Sequence, residues 1–293
     1  MRIAIFGSVH KKGFAQACAE VLDVLRRHGS DVLLEQGVHW LLLDAGIVVP
    51  ANVAVLDPEE DWTADLVLSL GGDGTFLQTA QAVGRRSLPI LGINLGHLGF
   101  MVDVMGNEIS TALDEVLTRG FQTEARSLLH LERESDGRRV VVGDALNEVA
   151  VLKLDTSSMV KVHTTVCGNF LCTYRADGLL VSTPTGSTGY ALSVGASILA
   201  PENHSFILSP VAPHSLNQRP LVVPDHWDLQ LDVDCRTDCF LVSIDGRSQV
   251  LERHNRLFIT KAGYPVVLAK RKGHTYFETL RDKLMWGKDT RGN

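Results

Sequence analysis

The sequence predicts a two-part fold: an α/β part built on a parallel sheet with crossover helices, then an all-β part of stacked antiparallel sheets. Three patterns carry that prediction. Over the first hundred residues, short apolar runs alternate with segments of helical spacing, joined at one point by a glycine loop. From about residue 128 the apolar segments become short, β-branched and punctuated by turn signals. Helical spacing then returns over 275–283, which predicts a tail that packs back on the first part.

Taken in order, residues 2–6 (Arg-Ile-Ala-Ile-Phe) read as a buried first strand. Apolar residues at 14, 17, 18, 21, 22 and 25 give a helix over 14–27, stopped by His28-Gly29. Strands follow at 31–34, 65–70 and 89–93, with a helix at 76–83 and another at 109–117. In the second part, Asp136-Gly137 and Gly168-Asn169 are hairpin signals, and strands are expected at 179–182, 206–208, 221–223, 229–233, 240–244, 257–260 and 265–270. A helix over 187–198 interrupts them. The domains are therefore drawn as 1–105 plus 271–293 for the α/β part and 106–270 for the all-β part.

Composition narrows the function. With 28 Lys and Arg against 34 Asp and Glu, the net charge is −6, a poor basis for coating nucleic acid or an anionic membrane. A phosphate-bearing ligand is then expected to be held by N–H groups, hydroxyls and metal rather than by a basic patch. Glycine, at 26 of 293 residues, exceeds the typical ~7% and points to loops where backbone approaches a ligand. The uncharged stretch 178–201 is long enough to span a bilayer, but its centre, Ser182 to Gly189, is small and polar throughout, so no membrane span is expected. Five cysteines, an odd number, and a short apolar start predict reduced thiols and a cytoplasmic protein.

Four segments carry chemistry. Gly71-Gly72-Asp73-Gly74-Thr75 closes a hydrophobic strand and opens a helix, where ligands of open α/β sheets bind. Its glycines expose N–H groups to phosphate oxygens, and Asp73 is suited to accept a hydroxyl proton or orient a metal. Neither a Walker A loop nor Gly-x-Gly-x-x-Gly is present here. A second glycine loop, 92–100, follows the next strand and includes His97 and Phe100. Asn147-Glu148, expected inside a strand, offers an amide and a carboxylate suited either to the paired hydroxyls of a ribose or to a structural hydrogen bond. Arg175 and Asp177 share a face of an extended strand and can pair, and the hydroxyl-rich loop 182–188 holds more hydroxyls than a helix cap needs.

Together these blocks resemble the NAD kinase family in its bacterial form. The resemblance rests on Gly71 to Thr75, Asn94 to Phe100, Asn147-Glu148, Arg175 to Gly178, Thr183 to Thr188, Pro213-His214 with Arg219-Pro220-Leu221, and Phe277 to Gly287. The first motif is shared with phosphofructokinases and with lipid kinases. The hydroxyl-rich loop favours a polar, nucleoside-like ligand over a lipid. The resemblance implies transfer of a phosphoryl group from ATP, in some members polyphosphate, to the adenosine ribose 2′-hydroxyl of NAD, with a divalent metal, usually Mg²⁺. It implies Asp73 as the base. It implies Asp73, Gly74, Asn147, Glu148, Arg175, Asp177, Thr188, Gly189, Tyr190, Ala191, Leu192, Ser193 and Ala212 around NAD, with His97, Phe100, Asp245 and Arg247 as additional candidates. It names no metal ligands, and it implies a homodimer or homotetramer. The chain departs from the family pattern at Gly189, where Ala is usual, at Gly195-Ala196-Ser197, and at Arg247.

Overall fold

A computed structural model describes residues 1–50, 53–96, 99–102, 104–155, 158–273 and 275–287. The chain divides into two compact units, 1–125 with 266–293, and 126–265. The first unit thus runs about twenty residues further than the sequence drew it. The helix Ile109–Arg119 and the strands Gln122–Arg126 and Val266–Lys270 all belong to it.

The first unit holds an eight-stranded sheet in the order Val53–Leu56, Asp31–Glu35, Arg2–Gly7, Leu66–Gly71, Pro89–Asn94, Val266–Lys270, Gln122–Arg126, with Val104–Met105 on the far end of Pro89–Asn94. The pairs Arg2↔Asp31, Ile3↔Leu66, Leu70↔Ile93 and Val267↔Pro89 are parallel. Every residue of Leu66–Gly71 is buried, as expected for a parallel strand covered on both faces. Helix Phe14–Arg27 turns Phe14, Cys18, Val21, Leu22 and Leu25 into a core shared with Ile3, Ile5, Leu68 and Ile93, and with Leu113 of Ile109–Arg119. Helix Asp73–Val83 lies on the opposite face, where Thr79 Oγ1 meets Ser69 Oγ at 2.8 Å. Strand order reverses between Arg2–Gly7 and Leu66–Gly71, so the loops after these two strands meet at the switch point where α/β sheets bind ligands. The tail forms helix Tyr276–Leu284, started by a reciprocal cap between Thr275 and Glu278, with Thr279 and Leu280 buried.

The second unit is a sandwich of two six-stranded antiparallel sheets. One runs Leu221–Pro224, Ser205–Val211, Gly178–Ser182, Glu148–Leu152, Cys239–Ile244, Arg247–Glu252. The other runs Asn169–Ala176, Val160–Val166, Leu229–Asp234, Arg256–Lys261, Leu129–Ser135, Arg138–Ala145. Alternate residues (Val149, Val151, Leu179, Val181, Phe206 from the first; Leu131, Val162, Leu231, Ile259 from the second) fill one core. The outer face of the first sheet is covered as well, since Ile207 packs against Ala191 and Ala196.

Three expectations need correction. Asn147-Glu148 does not lie inside one strand: Arg138–Ala145 ends in one sheet and Glu148–Leu152 begins in the other, so Leu146 and Asn147 form the crossing between them. The chain crosses again at Asp177, between Asn169–Ala176 and Gly178–Ser182. The helix expected over 187–198 is a 3₁₀ turn, Gly186–Thr188, followed by the single turn Tyr190–Ser193. Glycines at 186, 189 and 195 keep the segment from a longer run. Among the elements that escape the sequence patterns are the edge strand Val53–Leu56, the strand Gln122–Arg126 and helix Gln36–Asp44, whose start is capped by the Glu35 carboxylate accepting the Val38 N–H at 3.1 Å.

Candidate functional site

In the first unit, Gly72 is extended and Asp73 opens its helix, where a carboxylate suits the positive end of the helix dipole. The Asp73 carboxylate accepts the Phe100 N–H at 2.9 Å on Oδ2 and the Met101 N–H at 3.1 Å on Oδ1. It thereby ties the second glycine loop to the first. Gly99 makes this possible, because a methyl group on it would overlap the Asp73 carboxylate. The Leu95 N–H donates to the Gly71 carbonyl at 2.9 Å, a second tie between the loops. Gly74 is exposed, with open space where a side chain would stand. His97 lies outside the described residues.

Two lysines join these loops, and the sequence reading missed both roles. Lys11, in the loop after the first strand, brings its Nζ 3.1 Å from where a Gly72 side chain would begin, and 3.7 Å from the same point on Gly96. Lys283, from the tail helix, reaches Asp73 Oδ2 at 3.4 Å and stands 4.9 Å over the Phe100 ring. The sequence reading expected N–H groups, hydroxyls and metal rather than a basic patch, and the structure adds these two lysines beside the loops. Net charge is a sum over the whole chain and does not report local placement. The signal available was Lys11-Lys12-Gly13 directly after the first strand of a parallel sheet.

In the second unit, the crossing at Leu146-Asn147 is held by Asp245. Its carboxylate accepts the N–H groups of Leu146 at 2.7 Å, Asn147 at 2.8 Å and Glu148 at 3.0 Å. Burial pushes the Asp245 carboxyl above the usual range, opposed by those three hydrogen bonds and by Arg247. Burial, then the charge of Asp245, raises Glu148 to about 7. Asn147 Oδ1 and Glu148 Oε2 are buried and, among the described residues, have no hydrogen-bond partner. Both side chains border Gly189: a methyl group there would stand 3.4 Å from Glu148 Oε2 and 3.6 Å from Asn147 Nδ2. The Gly at this position therefore widens a polar cradle that Ala would narrow.

The hydroxyl-rich loop is mostly engaged with itself. Thr183 donates to the Leu146 carbonyl at 2.5 Å, Ser187 to Pro184 at 2.6 Å and Thr188 to Thr185 at 3.1 Å. Arg126 donates to the Thr185 hydroxyl at 3.3 Å. These hydroxyls shape the loop, and Thr188, Gly189, Tyr190 and Ser193 form its accessible edge. Leu192 is half-buried, and Ala191 is turned into the sheet. Asp177 pairs with Lys153 at 2.8 Å rather than with Arg175, which is exposed. Crossing between sheets after Ala176 ends the extended register that the Arg175–Asp177 pairing required. Ala212 is exposed in a left-handed turn beside this crossing, where the Asp177 N–H donates to Val211 and the His214 N–H to Arg175. Arg247 is exposed at the start of its strand.

Comparisons with known proteins cover both units of the chain. The ATP-NAD kinase N-terminal domain matches residues 3–121 and the ATP-NAD kinase C-terminal domain matches 146–270. An NAD kinase of Bacteroides fragilis is 43% identical over 99% of this chain and 100% of its own length. One of Cytophaga hutchinsonii is 36% identical over 99% and 100%. Among solved structures, yeast NADH kinase complexed with NADH superposes with a TM-score of 0.90 at 21% identity, covering 100% of this chain and 89% of that one. An NAD kinase from Archaeoglobus fulgidus in complex with ATP gives a TM-score of 0.73 at 25% identity, covering 97% and 99%. Both domain models and near full-length relatives agree: this chain belongs to the NAD kinase family.

Proposed function

We propose that this protein phosphorylates NAD at the adenosine ribose 2′-hydroxyl to give NADP, with ATP as donor. The observation that carries this reading is Asp73, held by two backbone N–H groups between two glycine loops at the switch point of a parallel sheet. The family membership and the ATP-bound relative from Archaeoglobus fulgidus support the donor.

Phosphoryl transfer asks for positioning and charge stabilisation more than for covalent chemistry. Orientation of hydroxyl and phosphoryl group accounts for roughly 7–11 kcal/mol of barrier. Asp73 takes the hydroxyl proton, a contribution of about 10²–10⁴-fold. Asn147 and Glu148, with unmatched buried oxygens, bind the ribose hydroxyls. Thr188, Gly189, Tyr190 and Ser193 line the adenine, with Ala191 and Leu192 as backing. Arg175, Asp177 and Ala212 serve the nicotinamide end. Asp245 fixes the crossing that carries Asn147.

Among the described residues, no three His, Cys, Asp or Glu side chains gather as a metal cage. Mg²⁺ is commonly held by one or two carboxylates plus substrate phosphates, and the Asp73 carboxylate beside the glycine loops fits that arrangement with ATP. Asp73 is the side chain that would touch it, and the ion would offset phosphate charge. Among the described residues, no helix is long and apolar enough to cross a membrane. Its relatives are bacterial NAD kinases, and on that family likeness we assign the enzyme to the cytoplasm. Exposed Phe170 and Leu171 on an edge strand support burial against a second copy, as a homodimer or homotetramer.

The test is incubation with NAD, ATP and Mg²⁺, reading NADP by mass and by an NADP-specific dehydrogenase, with polyphosphate in a parallel arm. NADP formation from ATP is expected. Its absence, or phosphorylation at another hydroxyl, overturns the reading. Asn147→Ala is expected to raise the KM for NAD, and unchanged kinetics would remove Asn147 from the site.

A further inference from the structure

The first unit sets two ammonium groups against the loops that hold Asp73, in a chain of net charge −6. Each is fixed by its own element. Lys11 lies in a loop locked by turns: the Ser8 N–H donates to Leu70, the Lys11 N–H to Ser8 and the Phe14 N–H to Lys11, all within 3.1 Å. Gly7 pairs with Leu70, so this loop emerges beside Gly72. The bare α-carbons of Gly72 and Gly96 leave the space that the Lys11 ammonium occupies, and among the described residues no carboxylate pairs with it. Lys11 is half-buried, and an anionic ligand between Gly72 and Gly96 would give its ammonium the partner that this site lacks. Lys283 is the complementary case, because it contacts the carboxylate itself.

We propose that Lys11 and Lys283 form a two-lysine clamp on the triphosphate of the donor, Lys11 holding the non-transferred phosphates across Gly72 and Gly96 and Lys283 holding the phosphoryl group in flight beside Asp73. This rests on the kinase reading above. In the step itself, the acceptor oxygen bonds to the γ-phosphorus, and the bond from that phosphorus to the β,γ-bridging oxygen breaks. The electron pair leaves on ADP, and the acceptor's proton passes to Asp73. Charge accumulates on the leaving diphosphate, which Lys11 faces, and on the equatorial oxygens, which Lys283 faces. Before ATP binds, Lys283 neutralises Asp73, and the incoming phosphoryl group draws it off the carboxylate.

The two roles predict different losses, each on the scale of a charge-assisted hydrogen bond, about 10–100-fold. Lys11→Gln is expected to weaken ATP binding by that factor, read by calorimetry on the full chain without NAD, and to raise the KM for ATP while leaving the KM for NAD unchanged. Lys283→Gln is expected to lower kcat by a similar factor with ATP affinity altered less than threefold. Lys283→Arg keeps the charge and restores part of kcat. A melting temperature within a few degrees of the parent establishes that each variant folds, and the Arg variants at both positions serve where Gln does not. Parental ATP affinity in Lys11→Gln or Lys11→Ala overturns the first role. Parental kcat in Lys283→Gln, or a loss that Lys283→Arg does not relieve at all, overturns the second. The calorimetric titration needs no NADP formation, so it reads Lys11 even where the acceptor reading fails.

Discussion

The Asp245 carboxylate accepts the Asn147 N–H at 2.8 Å, from a residue 98 positions away in sequence. That bond and its two neighbours replace the strand ladder lost where the chain steps from one sheet to the other. Asp245 itself sits in a left-handed turn, at φ 47°, a conformation that Asp tolerates better than most residues. Removing the carboxylate strands up to three N–H groups. Asp245→Ala is expected to destabilise the protein by about 3 kcal/mol in urea unfolding and to weaken NAD binding as Asn147 loosens. A change below about 0.5 kcal/mol would show that the crossing stands without it.

Glu148 gives a pH dependence with a definite sign. Its folded pKa of about 7 lies above the ordinary 4.5, so between those values the folded state binds a proton that the unfolded chain has lost. Stability of the ligand-free protein should therefore be highest at the acid end of that window and fall as pH rises through 7, by a contribution on the order of 2–3 kcal/mol. Glu148→Gln should flatten that slope, measured by thermal melts at pH 5, 6, 7 and 8. An identical slope in parent and variant would assign it to other groups.

Asp73→Asn should lower kcat by about 10²–10⁴-fold while leaving NAD affinity nearly intact, because the loss falls on the proton-accepting step. Gly99→Ala should reproduce much of that loss without touching the carboxylate's chemistry, since the added methyl displaces it. Rapid-quench turnover and equilibrium NAD binding separate the two effects, and parental turnover in Asp73→Asn removes the residue as base.

The glycines of the hydroxyl-rich loop should split. At Gly186 a methyl group would fall on the Asn147 carbonyl, which is backbone and cannot swing aside. Gly186→Ala should cost several kcal/mol, in the range of core overpacking. At Gly189 the nearest atom is the Gly186 carbonyl oxygen at 3.3 Å, and φ of −96° suits any residue. Gly189→Ala should fold normally and alter the KM for NAD, with kcat held. Equal stability losses at the two positions would contradict this.

The sequence made the architecture readable where local periodicity coincides with burial. Leu66–Gly71 is an unbroken apolar run because both its faces are covered, and helix Phe14–Arg27 shows its buried stripe in its spacing. What local pattern cannot report is where a strand changes partner. Residues 138–152 alternate as if continuous, yet break at Leu146-Asn147 because Asp245, remote in sequence, supplies the hydrogen bonds there. The same blindness assigned Asp177 to Arg175 when its partner is Lys153. Asp73 and the glycine loops were legible because a strand–glycine–helix junction is contiguous. Lys11 and Lys283 were not, since they meet those loops only through the order of strands and the return of the tail.

The second unit leaves the first sheet at Gln122–Arg126 and returns at Val266–Lys270, two strands that are neighbours in that sheet. On a ribosome, the strand Pro89–Asn94 is therefore made long before the partner that covers its open edge. The intervening sandwich is made while that edge waits, exposed to pairing with another nascent chain. The Pro89–Ile90 edge thus gains its last neighbours, Val267 and Leu268, only after the whole second unit has been made.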